Sequence, residues 1–168
     1  RGSFFLIDGL IGTAILIIAI TTIYSYQTET PSNIQNYIIS TDYLNIILSS
    51  QMRDLTNPYV LSKIKDGNIT NLRNSLLIQN AEFYYRQKYK SCNFCLEIAT
   101  NITKTLTEGI LPAQYGISYS INGTNIYTRS PTLLSKAKLV INSKRITFFK
   151  INDTDVFGPV ITEVKVWQ

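Results

Sequence analysis

Two cysteines form the motif with the clearest chemical potential in this sequence. Cys92 and Cys95 are its only cysteines and are spaced as Cys-x-x-Cys, a pattern found in disulfides, thiol redox sites and half-sites for zinc. A zinc site would need a second cysteine pair or histidines, and the chain contains no histidine. A redox motif is expected beside a βαβ pattern, which the sequence does not show. We therefore expect a local disulfide, with two free thiols as the alternative.

The other chemically capable residues do not form a catalytic pattern. Without histidine, the commonest general base and metal ligand is missing. The carboxylates Glu82, Glu97, Glu108, Asp153 and Asp155 show no acid–base pairing, and the glycines occur singly rather than in a phosphate-binding loop. We expect no enzyme activity, no cofactor and no metal.

Four Asn-x-Thr sequences are candidate glycosylation sites, at Asn68, Asn101, Asn122 and Asn152. Asn68, Asn122 and Asn152 fall in predicted turns, where a glycan has room. Asn101 falls in a predicted helix. Asn122 has an alternative role, since Asn122-Gly123 is a sequence that favours a tight turn.

Positive charge is spread along the chain, with a net charge of +5. The densest cluster lies in Tyr84-Tyr-Arg-Gln-Lys-Tyr-Lys90, where aromatic and basic side chains alternate and could stack on a nucleic acid or a sugar. A solvated protein surface explains such a modest excess of charge more simply. We expect no specific nucleic-acid partner.

The first segment, residues 4–26, contains Asp8 as its single charged residue. It is apolar all round rather than on one face, so as a helix it must be buried on every side. Its length meets the roughly 20 apolar residues that cross a bilayer. Gly9, Gly12 and Ala14 form a patch of small residues that would let another helix approach closely. The prediction is a hydrophobic stalk helix with a kink or break near Pro31.

Asp8 is the anomaly in this segment, because a lone carboxylate in apolar surroundings is costly unless it is paired. The nearest positive groups are the α-amino group and side chain of Arg1. Within one helix they lie about two turns from Asp8, so a neighbouring subunit is the better partner. Because the chain starts at Arg1 rather than Met, we expect either that a tag was cut or that an upstream segment is removed during maturation, before assembly.

The remaining chain predicts an α+β fold, with helices followed by an antiparallel sheet. Helical spacing and capping residues predict helices at 33–54, 59–65, 72–89 and 94–108. Alternating patterns then predict strands at 116–121, 124–128, 137–142, 145–151 and 160–167. The expected domains are a stalk, 1–30, and a globular head, 31–168, with a helical part at 32–111 and a sheet at 116–168.

Arg1-Gly-Ser-Phe-Phe-Leu-Ile-Asp8-Gly-Leu-Ile-Gly12, running into an apolar helix, resembles the N-terminus of archaeal type IV pilin-like proteins made with a class III signal peptide. Leu111-Pro-Ala-Gln-Tyr-Gly116, the Asn122-Gly123 hairpin and Phe157-Gly-Pro159 before the last strand look like the heads of such pilins. Asp8 would match the acidic residue that neutralises a neighbour's N-terminus, although it lies further from the first residue than usual.

The resemblance implies the structural subunit of an extracellular pilus that serves surface adhesion. The implied partners are identical subunits in a helical filament, a prepilin peptidase, a secretion ATPase and a membrane platform. The precursor would sit in the membrane before assembly, and N-linked glycans would decorate the exposed head. The alternative is a single-pass, membrane-anchored surface protein with an extracellular ligand-binding head.

Overall fold

A computed structural model describes residues 3–29, 31–137, 139–151 and 154–168, and it describes the side chains of these residues except for 3–8, 24–29 and 31–36. The fold is α+β, with five α-helices followed by a four-stranded antiparallel sheet. The chain divides into two compact units, Arg1–Gln35 and Asn36–Gln168. We call the second unit the head.

The first unit contains helix α1, Ser3–Glu29. The prediction of a long hydrophobic stalk helix is wrong. Among the residues that the structure describes, no helix is both long enough and apolar enough to cross a bilayer. The described apolar stretch is only about 15 residues, which a rise of 1.5 Å per residue makes roughly 22 Å long, against about 30 Å of hydrocarbon. Two glycines and three threonines within residues 9–23 lower its apolarity further.

Four more α-helices follow, and local chemistry explains several of their ends. They are α2 (Pro31–Ser49), α3 (Pro58–Lys65), α4 (Leu76–Tyr89) and α5 (Cys95–Ile110), with a 3-10 turn at Met52–Asp54. Asn57 caps α3 by accepting a hydrogen bond from the Tyr59 amide at 2.8 Å, and Pro58 occupies the first helical position. Ser75 caps α4 by accepting from the Ile78 amide at 3.4 Å.

Two helix boundaries differ from the predictions because residues 50–53 pair with residues 72–76. The predicted helix 33–54 ends at Ser49, and the predicted helix 72–89 begins only at Leu76. The Met52 amide donates to the Asn74 carbonyl at 3.0 Å, and the Leu76 amide donates to the Ser50 carbonyl at 2.9 Å. These long-range hydrogen bonds satisfy backbone groups that helical turns would otherwise have used.

The sheet has the order β2-β1-β4-β3, and each neighbouring pair is antiparallel. Its strands are β1 (Gly116–Ile121), β2 (Thr124–Arg129), β3 (Val140–Lys150) and β4 (Val156–Trp167). The turn between β1 and β2 has positive φ angles at Asn122 (49°) and Gly123 (78°), as expected for an Asn-Gly hairpin.

Strand β3 replaces two shorter predicted strands, 137–142 and 145–151. The prediction left Ser143 and Lys144 between the two strands, and serine favours turns. In the structure β4 pairs through this position, with Val164 opposite Ser143, and the register shifts between Thr147 and Phe149. Asn142 donates from Nδ2 to Glu163 Oε1 at 2.6 Å across the same ladder. Pairing with a long partner strand therefore overrides the local turn preference.

The core of the head lies between the sheet and helices α2, α4 and α5. Helix α5 buries Cys95, Ile98, Ala99 and Ile102 along one face, while β4 buries Val160, Val164 and Val166. Alternation along the strand and helical spacing along α5 bring these apolar sets together.

Buried hydroxyl pairs fix α2 to the rest of the head. Ser40 Oγ lies 2.7 Å from Ser143 Oγ on β3, and Tyr43 Oη lies 2.6 Å from Thr107 Oγ1 on α5. Burial raises the pKa of the Tyr43 phenol above its ordinary value. The Tyr43–Thr107 pair orients the helix through a neutral hydrogen bond rather than a buried charge.

Candidate functional site

The most unusual surface in the described structure is the apolar segment of α1, residues 9–23. Its large side chains are 48–69% exposed and follow one another along a single helix, whereas the head buries an apolar core. They are Leu10, Ile11, Ile15, Leu16, Ile17, Ile18, Ile20 and Ile23. Contiguous exposed apolar surface marks a contact site for another molecule. We call this segment the apolar face of α1.

The threonine hydroxyls of this segment form hydrogen bonds with backbone carbonyls of the same helix. Thr13 Oγ1 donates to the Gly9 carbonyl at 2.9 Å, Thr21 Oγ1 donates to the Ile17 carbonyl at 2.9 Å, and Thr22 Oγ1 donates to the Ile18 carbonyl at 2.6 Å. Hydroxyls that bond back to the preceding turn need no water or partner. The segment therefore presents mainly methyl and methylene groups to its surroundings.

The small-residue patch predicted for helix packing lies on this segment and is open. A Cβ atom added at Gly9 or Gly12 would meet no heavy atom within 4 Å, and Ala14 is exposed. A second helix can approach closely at such positions. The predicted pairing of Arg1 with Asp8 lies outside the described residues and side chains.

Two of the predicted glycosylation sites already have polar contacts in the head. Asn68 is half-buried, and its backbone carbonyl accepts a hydrogen bond from Arg86 Nη1 at 2.9 Å. Asn101 lies on α5 and donates from Nδ2 to the Tyr59 hydroxyl at 3.2 Å. A glycan on Asn101 would attach at that same nitrogen, so modification competes with this contact.

Asn122 is exposed and has a structural role in the hairpin. Its amide and its Oδ1 both bond to Ile161 of β4, at 2.8 Å each. The tight turn that was the alternative role of Asn122 is therefore present, and glycosylation of Asn122 stays a prediction. Asn152 lies outside the described residues. The three described candidates, Asn68, Asn101 and Asn122, lie in the bend after α3, on α5 and in the β1–β2 hairpin respectively.

Cys92 and Cys95 are joined by a disulfide that links the end of α4 to the start of α5. Cys95 is fully buried at the first turn of α5. The bond closes a short chain segment, so it restricts the turn between the two helices that carry much of the core. A disulfide of this kind suits an oxidising exterior and the cytosol of a hyperthermophile alike.

Replacing both cysteines with alanine should lower the free energy of unfolding by roughly 2 kcal/mol, because a short closed loop removes little entropy from the unfolded chain. We expect the melting temperature to fall by about 4–8 °C. Thermal unfolding followed by circular dichroism measures this change. Dithiothreitol should lower the melting temperature of the unmodified protein and leave that of the double variant unchanged. An equal effect on both would show that the disulfide does not stabilise the fold.

The head also contains a cavity that the sequence did not predict. It has a volume of about 730 Å³ and lies between the end of α2, residues 70–75, one side of α4 and the end of β3. Tyr85, Arg86 and Lys90 line it, and all three belong to the basic–aromatic cluster noted in the sequence. Arg73, Glu82 and Lys150 also line it, and no local pattern connected them to that cluster.

The described part of the chain does not bring together three or more His, Cys, Asp or Glu side chains that could hold a metal ion. In the described part of the chain, the apolar face of α1 and the basic cavity of the head are candidate binding surfaces. No protein-family model, no curated protein and no solved structure matches this chain.

Proposed function

We propose that this protein is the structural subunit of an extracellular filament, polymerising through the apolar face of α1. The single observation that supports this proposal most is the exposure of that face, from 48% to 69% for its large side chains. A fully buried leucine or isoleucine side chain gains about 1.5–3 kcal/mol relative to water. Eight such residues give self-association a large driving force.

The distribution of these residues favours a polymer over a dimer. Ile15, Leu16, Ile17 and Ile18 are consecutive, and successive residues of a helix point about 100° apart, so together they cover every side. One partner helix covers only one stripe of a helix surface. Complete burial therefore needs several neighbours, which a bundle of identical helices within a helical filament supplies.

The N-terminal resemblance specifies the kind of filament. The sequence from Arg1 to Gly12 is similar to that of archaeal type IV pilin-like proteins, so we propose an archaeal pilus that serves surface adhesion. A prepilin peptidase, a secretion ATPase and a membrane platform would then act on the subunit before and during assembly. The disulfide-linked head would form the outer surface of the filament, where the candidate N-glycans would lie.

Shearing of cells followed by negative-stain microscopy tests this proposal. We expect the protein in the sheared fraction, as filaments that disassemble only under conditions that disrupt apolar contacts. Protein that stays with the cell membrane after shearing would favour the anchored surface protein instead. A discrete soluble particle in the absence of detergent would also contradict polymerisation.

A further inference from the structure

The basic cavity of the head has the dimensions of a small-ligand site. Its volume of about 730 Å³ falls within the roughly 300–1,000 Å³ typical of such sites. Every segment that lines it belongs to the unit Asn36–Gln168. The site is therefore complete within one head and does not require polymerisation.

Positive charge dominates the lining. The cavity is lined by the cationic side chains of Arg73, Arg86, Lys90 and Lys150, and Glu82 is the acidic residue among its described lining residues. Guanidinium groups match carboxylate and sulfate oxygens through paired hydrogen bonds. An anionic ligand is therefore the complementary one.

The structure holds Arg86 in position at the cavity wall. Its Nη1 donates to the Asn68 carbonyl at 2.9 Å and lies 3.8 Å from Glu82 Oε1, while its guanidinium sits 5.9 Å from the centre of the Phe83 ring. Because the Arg86 side chain is already ordered, it loses less conformational entropy when a ligand binds. Burial raises the pKa of the Glu82 carboxyl above its ordinary value, while the nearby Arg86 guanidinium opposes this shift.

Arg73 and Lys90 are also available to a ligand. Within the described part of the chain, the side chains of Arg73 and Lys90 form no ion pair, and both residues are exposed. A ligand anion would therefore not have to displace an internal carboxylate from either of them.

Neutral polar groups and an exposed aromatic ring also line the cavity. Asn71 and Asn74 contribute amides, and Thr70 and Ser75 contribute hydroxyls. Phe148, which is 58% exposed, offers an apolar ring surface. Amides and hydroxyls beside an exposed aromatic ring can bind the hydroxyl groups and the apolar face of a sugar ring.

The aromatic packing favours a saccharide over a single-stranded nucleic acid. Tyr85 packs against Tyr89, Phe149 and Phe157, with ring centres 5.3, 6.0 and 4.8 Å away. Its ring is occupied by these neighbours, whereas nucleic-acid sites present successive free rings for stacking. We propose that this cavity binds an acidic saccharide, a short chain of sugars that carry carboxylate or sulfate groups.

Titration calorimetry with trigalacturonic acid and the full chain tests the proposal, with maltotriose as the neutral probe of similar size. We expect binding of trigalacturonic acid that weakens with added salt, and at least tenfold weaker binding of maltotriose. Equal binding of both sugars would overturn the anionic assignment. Equally tight binding of inorganic sulfate would overturn the saccharide assignment, and tighter binding of oligothymidylate would assign the cavity to nucleic acid.

Variants locate the site. The double change Arg73→Gln/Lys90→Gln should weaken trigalacturonic acid binding about tenfold or more, since it removes two charged hydrogen-bond donors. Lys136→Gln removes an exposed charge outside the cavity and should change nothing. Equal effects of the Lys136 and cavity variants would overturn the proposal.

Discussion

Replacing Ile17 with lysine should abolish filaments while leaving the head folded. Ile17 is 60% exposed on the apolar face of α1, and the proposed bundle would enclose it. An ammonium group enclosed among apolar side chains costs about 3 kcal/mol or more. Since about 1.4 kcal/mol is tenfold in affinity, subunit association should weaken about a hundredfold at each addition. Counting sheared filaments by electron microscopy measures the loss.

Two matched variants control for this result. Ile17→Leu keeps an apolar side chain of the same size and should assemble normally. Leu133→Lys places the same charge at a site on the head that is 61% exposed, almost equal to Ile17, and should also assemble. Normal filament yield from Ile17→Lys would contradict burial of this face. Equal loss with Leu133→Lys would show that added charge alone prevents assembly.

Replacing Gly116 with alanine should lower the free energy of unfolding of the head by about 2–4 kcal/mol. Gly116 pairs with Trp167 across β1 and β4, and the Trp167 indole lies where a Cβ atom at residue 116 would be. Trp167 is only 1% exposed, and its Nε1 donates to the Thr132 carbonyl at 2.8 Å. A methyl group at residue 116 must displace the ring and disturb both its burial and this hydrogen bond.

Tryptophan fluorescence measures this displacement directly, because Trp167 is the only tryptophan of the chain. We expect red-shifted indole fluorescence and a melting temperature lower by about 4–16 °C. Gly109→Ala is the matched control, since a Cβ there meets no atom within 4 Å and the residue lies in a helix. That change should be neutral or slightly stabilising. Unchanged fluorescence and stability in Gly116→Ala would contradict the packing of Trp167 on Gly116.

Local chemistry predicted the parts of the fold whose causes lie within a few residues. Asn122-Gly123 predicted the turn between β1 and β2, because these residues accept positive φ angles. The spacing of Cys92 and Cys95 permitted a disulfide within one turn of chain. Helical spacing identified α5, whose apolar residues repeat every three or four positions.

Boundaries set by distant partners were not predictable in this way. The break expected near Ser143 is absent because β4 pairs through it, and the end of α2 at Ser49 depends on residues 72–76. For the first helix, the apolar composition alone led to a wrong prediction. Its apolar composition was visible in the sequence, but length and composition together fall short of a membrane span within the described residues.

The sequence by itself determined that the first segment, as a helix, is apolar on every side, since its residues include no polar face. Only the tertiary structure decided that Arg73 of a loop, Arg86 of α4 and Lys150 of β3 line one cavity. It alone also placed Trp167 over Gly116. Periodicity and turn chemistry act between residues a few positions apart, whereas a binding site is assembled by packing that joins segments distant in the chain.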